Sequence, residues 1–342
     1  MSLEIHRDRD LTRANTLGLP SRAVHFVAPA SQGELMSVVT MARERQWPLT
    51  LLGGGSNLIL GECLKGLVVQ PAFTGWWLEQ GPAGSVRVHV EAGMEWHALV
   101  MALVERDLWG IENLALIPGH CGAAPIQNIG AYGVELAEVL EAVHLVYLDD
   151  GREAVLGSAD CAFGYRDSIF KGELDGRVAI TKLVLQLSRR SCPRLDYGDL
   201  ARRVGPAPSA REVAEAVISI RREKLPDPSQ LGNAGSFFKN PVATTVQARA
   251  LLSRYPDMPH FPLPDGRVKL AAGWLIDQCG LKGYREGAFG VHDRQALVLV
   301  HHGDGNAREL LAFSNAIAMR VWQRFGVSLE REPRLIGLAD TA

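Results

Sequence analysis

Cysteine is scarce in this 342-residue chain, and the five present, Cys63, Cys121, Cys161, Cys192 and Cys279, are odd in number and far apart. No CxxC pair and no Cys/His spacing suited to a metal occurs, so reduced thiols are expected, with no structural zinc and no other metal site. His301 and His302 are adjacent on a predicted strand and point to opposite faces, which excludes joint ligation. No stretch reaches the apolar length of a membrane span. The N-terminus, MSLEIHRDRD, lacks an apolar signal core, and the expected location is the cytoplasm. An excess of one charge is also missing: 36 Lys and Arg stand against 38 Asp and Glu. That balance gives no overall field for drawing in nucleic acid or anionic lipid. Small-molecule partners and a monomer are expected. At 47% hydrophobic and 22% charged residues, the composition is that of a globular protein, long enough for two domains with separate cores.

A more local absence is more informative. Residues 113–134 contain no Asp, Glu, Lys or Arg, and within them residues 117–133, IPGHCGAAPIQNIGAYG, hold four glycines and two prolines. Neither a long helix nor an uninterrupted strand can run through such a stretch. An irregular backbone without charges has to satisfy its N–H and C=O groups somewhere. A polar ligand lying along it does so; on composition alone, burial against the rest of the protein does so equally well. A second glycine-rich stretch, GGGSN at 53–57, follows a predicted strand at 48–52 and precedes strand-like Leu58, Ile59 and Leu60. It has neither the GxGxxG-then-helix nor the GK[ST] of the common nucleotide loops. Successive N–H groups there form an anion nest or simply a turn between strands.

The remaining elements are a strand at 24–29 and a helix opened by a Ser31/Glu34 capping box, with Leu35, Val38, Val39 and Ala42 inward. An alternating strand runs over 85–90, and a helix over 94–108 carries Leu99, Val100, Leu103 and Val104 on its apolar face. A hairpin turns at Asp149, Asp150 and Gly151, and a long strand covers 178–187. Ser209 and Glu212 box a further helix with Val213, Ala216, Val217 and Ile220 inward. Helix and strand then alternate at about 244–254, 269–279, 296–300, 306–325 and 332–336. Antiparallel strands with few helices in the first half argue for α+β over a doubly wound sheet.

Five motifs stand in order: GGGSN (53–57), PGxxGAAPIQNIGAYG (118–133), FGYRDS (163–168), GNAGSFFKNP (232–241) and ExR (332–334). Together they resemble the UDP-N-acetylenolpyruvoylglucosamine reductase family over nearly the full chain, in its longer class with a Tyr-bearing insertion, here LDYGDL around Tyr197. The resemblance implies an FAD-binding domain of the vanillyl-alcohol-oxidase (PCMH) type over 20–190. A smaller α/β substrate-binding domain would occupy 191–342, its last strand near 327–337 returning to the flavin site. FAD is held non-covalently in that family and NADPH is the electron donor. The reaction reduces the enolpyruvyl ether of UDP-N-acetylglucosamine to UDP-N-acetylmuramate in peptidoglycan precursor synthesis.

The residues matched to FAD binding are Gly53, Gly54, Gly55, Ser56, Asn57, Pro118, Gly119, Gly122, Ala123, Gln127, Asn128, Gly130, Ala131, Tyr132 and Gly133. Those matched to catalysis are Ser236 as proton donor, with Arg166 and Glu332 on the substrate carboxylate. Those matched to substrate binding are Tyr165, Tyr197, Lys224, Lys239 and Asn240. Outside the resemblance each has a plainer explanation: Ser236 a turn residue, Arg166 a paired surface arginine, Glu332 a solvated charge, Tyr132 and Tyr197 boundary residues. The chain departs from the pattern at His120 and Cys121, where small or aliphatic residues are expected, and at Pro333, which removes an N–H beside Glu332. Two rival functions are an oxidase on the same flavin fold, with covalent FAD through His or Cys, and a non-catalytic nucleotide-sugar binder.

Overall fold

Alternation in Ser85–Glu91 sends Val86, Val88 and Val90 to one face, and all three are buried in a computed structural model that describes residues 3–338. That strand is part of an antiparallel five-stranded sheet ordered Glu153–Gly157, Leu140–Tyr147, Val178–Ser188, Ser85–Glu91, Trp76–Gln80. The register sets Val143 opposite Leu183 and Leu183 opposite Val90, so one face is continuously apolar. Two helices close over the same core: Trp96–Val104, with Leu99, Val100 and Leu103, and Ala210–Lys224, with Val213, Val217 and Ile220. In the second helix Ala214 is buried and Ala216 only partly so. A smaller sheet is ordered His6–Asp10, Arg22–Val27, Cys63–Val69, Leu49–Leu51, its last pair parallel. Helix Gln32–Glu44 packs Leu35, Val38, Val39 and Ala42 into the cluster that contains Leu67 and Val69. Ser31 caps that helix as expected, accepting from the Glu34 N–H, while the Glu34 carboxylate takes the N–H of Ala30.

The second core gathers around the sheet Gly232–Ser236, Val298–His301, Phe289–Val291, Arg285–Glu286 and the long helix Ala307–Phe325. Asn306 and Glu309 box the start of that helix, and Gly326 ends it in the left-handed conformation at φ 66°. The 269–279 element resolves into a strand, Val268–Leu270, followed by a short helix, Ala272–Gln278. His301 is buried, with Nδ1 2.9 Å from the Leu17 carbonyl and Nε2 accepting from the Gly305 N–H, whereas His302 is exposed.

The chain divides into two compact units. Unit one comprises Met1–Arg9, Ala23–Gly55 and Leu64–Glu223; unit two comprises Asp10–Arg22, Ser56–Cys63 and Lys224–Ala342. The division falls at 223/224, and Val213, Val217 and Ile220 accordingly have their partners in the first core.

Glu112 is buried in unit one, and desolvation raises its pKa, offset in part by backbone donors of which Gly110, at 2.6 Å, contributes most. A carboxyl raised on folding stabilises fully below its unfolded value, near 4.5, and that contribution is lost as pH rises through the folded value. Glu112→Gln keeps an acceptor for Gly110 and does not titrate. The variant is therefore expected to match the parent at low pH and to exceed its Tm as pH is raised toward neutrality. About 1 kcal/mol of relief moves Tm by about 2–4 °C in chains somewhat smaller than this one. A Tm difference that stays constant with pH contradicts the assignment.

Candidate functional site

The two glycine-rich stretches meet within unit one. A Cβ added at Gly54 would lie 2.7 Å from the Gly119 Cα, and one at Gly53 would lie 3.2 Å from the Ala123 Cβ. Backbone runs against backbone with no room for a side chain. The 53–55 turn is held by Gln70, whose Nε2 donates to the Gly53 carbonyl at 2.8 Å, and Gly55 has φ +63°. The facing loop is fixed by Trp96 N–H to Gly119 O, Cys121 N–H to Met94 O and Gly122 N–H to Ala92 O. After it, the uncharged stretch forms a 3-10 helix, Cys121–Gln127, and two short paired strands, Gly130–Ala131 and Val134–Glu135. Those bonds leave a set of donors over. Among the described residues, the N–H groups of Gly53, Gly54, Gly55, Gly119 and His120 donate to no other protein group. A cluster of half-buried N–H groups on adjoining turns is a receptor for an anion such as a diphosphate.

The far end of the stretch carries the charges and rings. Leu116, Asn128, Tyr132, Ala162 and Arg166 are non-glycine residues with φ between 46° and 58°. Each such conformation costs about 1–3 kcal/mol, and they concentrate where function requires them. Arg166 Nη2 donates to the Gly130 carbonyl at 2.9 Å, and its guanidinium lies 5.4 Å from the Tyr165 ring centroid. Tyr132 stands edge-on to Tyr197, with centroids 5.8 Å apart, which sets the insertion tyrosine against this stretch. Burial raises the Tyr132 pKa, while Arg221 and Arg203 oppose the shift.

Arg221 was not predicted from the sequence. It sits in helix Ala210–Lys224 at the start of the charged run Arg221, Arg222, Glu223 and Lys224, and such a run ordinarily reads as solvated. Instead its Nε is sealed from solvent without a hydrogen-bond partner. Burial holds its guanidinium below its usual range, and Arg166 pushes in the same direction. Two mutually repelling guanidinium groups, one of them desolvated, make an electropositive site that a bound anion stabilises.

In unit two, the motif GNAGSFFKNP builds an exposed serine on a fixed frame. The Asn233 side chain accepts from the Gly235 N–H, Gly235 takes φ +67°, and the pairing with Val298–His301 shifts register between Asn233 and Ser236. This bulge turns Ser236 outward while Phe237 and Phe238 are buried beyond it. The segment bearing Glu332, just before strand Arg334–Ile336, runs alongside: Glu332 N–H donates to Phe237 O at 2.9 Å, and Lys239 N–H to Glu330 O at 2.9 Å. Asn57 joins the same segment, with Nδ2 3.4 Å from the Glu332 carbonyl and its own carbonyl accepting from Arg334 N–H. Arg334–Ile336 continues parallel to Leu58–Leu60. Ser236, Glu332 and Asn57 are therefore neighbours by backbone hydrogen bonding.

Other predicted residues have internal tasks. Asn128 spends its side chain on Glu135, Gly164 and the Ala137 N–H, leaving it no free polar atom. Asn240 accepts from Ala272 N–H at the start of helix Ala272–Gln278. Lys239 pairs with Glu330 at 2.5 Å, and Lys224 is exposed. Among the described residues no group of His, Cys, Asp and Glu is arranged to hold a metal ion, and no helix is long and apolar enough to cross a membrane.

Two protein families match the chain: residues 23–157 match an FAD binding domain, and residues 227–336 match the C-terminal domain of UDP-N-acetylenolpyruvoylglucosamine reductase. The chain is 47% identical over 341 residues to the UDP-N-acetylenolpyruvoylglucosamine reductase of Chromobacterium violaceum, covering 98% of this chain and 100% of that one. It is 46% identical over 339 residues to the enzyme of the same name from Pseudomonas aeruginosa, again covering 98% and 100%. The crystal structure of UDP-N-acetylenolpyruvylglucosamine reductase (MurB) from Thermus caldophilus aligns over 98% of this chain and 99% of that one, with TM-score 0.65 and 25% identity.

Proposed function

Because the chain belongs to the UDP-N-acetylenolpyruvoylglucosamine reductase family, an oxidoreductase family with an FAD-binding domain of the vanillyl-alcohol-oxidase type, we propose that it reduces UDP-N-acetyl-3-O-(1-carboxyvinyl)-glucosamine to UDP-N-acetylmuramate with NADPH as electron donor. FAD, when bound non-covalently, would supply the hydride that reduces the terminal alkene carbon. The N–H groups of Gly53, Gly54, Gly55, Gly119 and His120 fit its diphosphate, the polar moiety that such a nest accommodates.

Hydride addition leaves carbanion character beside a carboxylate, so negative charge grows on the carboxylate oxygens in the transition state. Arg166 meets it with a rigid, permanently charged fork. Arg221 adds a second fixed positive charge in the same unit. Glu332, when protonated, donates to the same oxygens as neutral acids do in other enol-stabilising sites. Ser236 delivers the proton to the carbon that bears the negative charge, while Lys239, whose ammonium is paired with Glu330, is assigned to the substrate side. Tyr165, Tyr197, Lys224 and Asn240 are assigned to the nucleotide-sugar side.

The observation that carries this reading is the backbone pairing of the segment after Ser236 with Glu332: both proposed proton-bearing groups flank one hydrogen bond, Glu332 N–H to Phe237 O. Anaerobic stopped-flow tests it. NADPH is expected to bleach the flavin, and the enolpyruvyl sugar nucleotide to restore its colour; a reduced protein reoxidised only by oxygen speaks for the oxidase instead. Covalent attachment through Cys121 is disfavoured by its chemistry, because the thiol is buried and its pKa is pushed far up, away from the nucleophilic thiolate. Acid precipitation is expected to give a colourless pellet and a yellow supernatant.

A further inference from the structure

We propose that His120 is a titratable cofactor-binding residue, donating through Nε2 to the diphosphate lying on the glycine turns and taking up a proton as that anion binds. The inference rests on the assignment of those turns to FAD, and it concerns one of the two residues at which the motif departs from its resemblance. Its ring is packed on the nest itself: Cδ2 is 3.4 Å from a Cβ placed at Gly54, and Cβ is 3.9 Å from one placed at Gly53. The backbone N–H of the same residue belongs to the set with no protein acceptor. Nδ1 is sealed from solvent without a partner. That leaves Nε2, bonded to the Cδ2 edge facing Gly54, as the nitrogen able to serve a ligand.

The charged surroundings are few. Gly53, Gly54 and Ala123 contribute no titratable side chain. Glu95, paired with His120 across an isolated β-bridge, favours the imidazolium and is itself exposed. The Cys121 thiol next along the chain is held protonated by burial. His97, at the start of helix Trp96–Val104, is already engaged, its Nδ1 accepting from Leu116 N–H. Without an anion, burial is the larger effect and holds the His120 pKa below its usual value. Nε2 donates in both protonation states, so the proton taken up goes to Nδ1; a diphosphate on the nest favours that imidazolium, because its bond to the anion becomes charge-assisted. Binding that raises the pKa of a group takes up protons. Affinity is then highest at low pH, falls as pH rises through the free and bound values, and levels off above them.

The test is FAD binding to the deflavinated protein, read by flavin fluorescence between about pH 5.5 and 8.5, the range in which imidazole titrates. The parent Kd is expected to rise by about tenfold across that range, the difference between a charge-assisted and a neutral hydrogen bond. His120→Gln retains a donor without a titrating proton and is expected to bind FAD with a flat pH profile. His120→Ala is expected to be flat and weaker at low pH. A parent profile that is flat overturns the proposal, as does a slope that survives in His120→Gln. Failure of the parent protein to bind FAD at any pH overturns the assignment of the turns to FAD, and this proposal with it.

Discussion

Ser236→Ala is expected to leave flavin reduction by NADPH at its parent rate and to slow reoxidation by the enolpyruvyl sugar nucleotide by about 10²–10⁴-fold, the range for loss of a positioned general acid. The asymmetry follows from the chemistry. No proton is required from the protein to accept hydride from NADPH, whereas reduction of the alkene is incomplete until the carbon beside the carboxylate is protonated. The fold makes the test clean. Ser236 is exposed, and the bulge that presents it is set by Asn233, Gly235 and the buried Phe237 and Phe238, none of which depends on the serine hydroxyl. Tm is therefore expected to be unchanged. A second half-reaction at the parent rate removes Ser236 from the role of proton donor. Single-turnover measurement of both half-reactions distinguishes these outcomes where steady-state turnover cannot.

Local rules made much of this arrangement legible in advance. Ser31 with Glu34 and Ser209 with Glu212 start helices as capping pairs, because side-chain bonds to the first N–H groups are settled within four residues. Alternation revealed the buried face of Ser85–Glu91 for the same reason. Amphipathic spacing also showed that Val213, Val217 and Ile220 are inward, but periodicity names no partner, and only the packed structure puts them in the core of unit one. The glycine stretches were recognisable as unusual. Their contact, Gly54 against Gly119, joins turns separated by dozens of residues and depends on the sheets that carry them. Arg221 had no local signal at all. Its distinction is a desolvated Nε without an acceptor, a property of the packed interior. Asn128 shows the converse: the resemblance offered it as a ligand residue, yet its amide is consumed in holding Glu135, Gly164 and Ala137 together.

Arg166→Lys is expected to lower kcat/KM for the enolpyruvyl substrate by about 10²–10³-fold, the loss seen when one preorganised donor to a developing oxyanion is removed. The substitution retains the positive charge, so it isolates geometry. A guanidinium presents parallel N–H groups to a carboxylate, and at Arg166 the group is already oriented by Nη2 donating to Gly130 O and by the Tyr165 ring beneath it. An ammonium is a point donor on a flexible stem and cannot hold Gly130 while offering two bonds to the substrate. Backbone strain does not confuse the comparison: the residue sits at φ 55°, and lysine carries the same penalty there as arginine. Because the interaction strengthens as charge moves onto the carboxylate, the loss should fall on kcat of the oxidative half-reaction more than on substrate affinity, and NADPH-driven flavin reduction should be spared. A lysine variant whose oxidative half-reaction stays close to the parent rate means that charge alone suffices. The stabilisation would then come from the positive charge at this position, with that of Arg221, rather than from the fork.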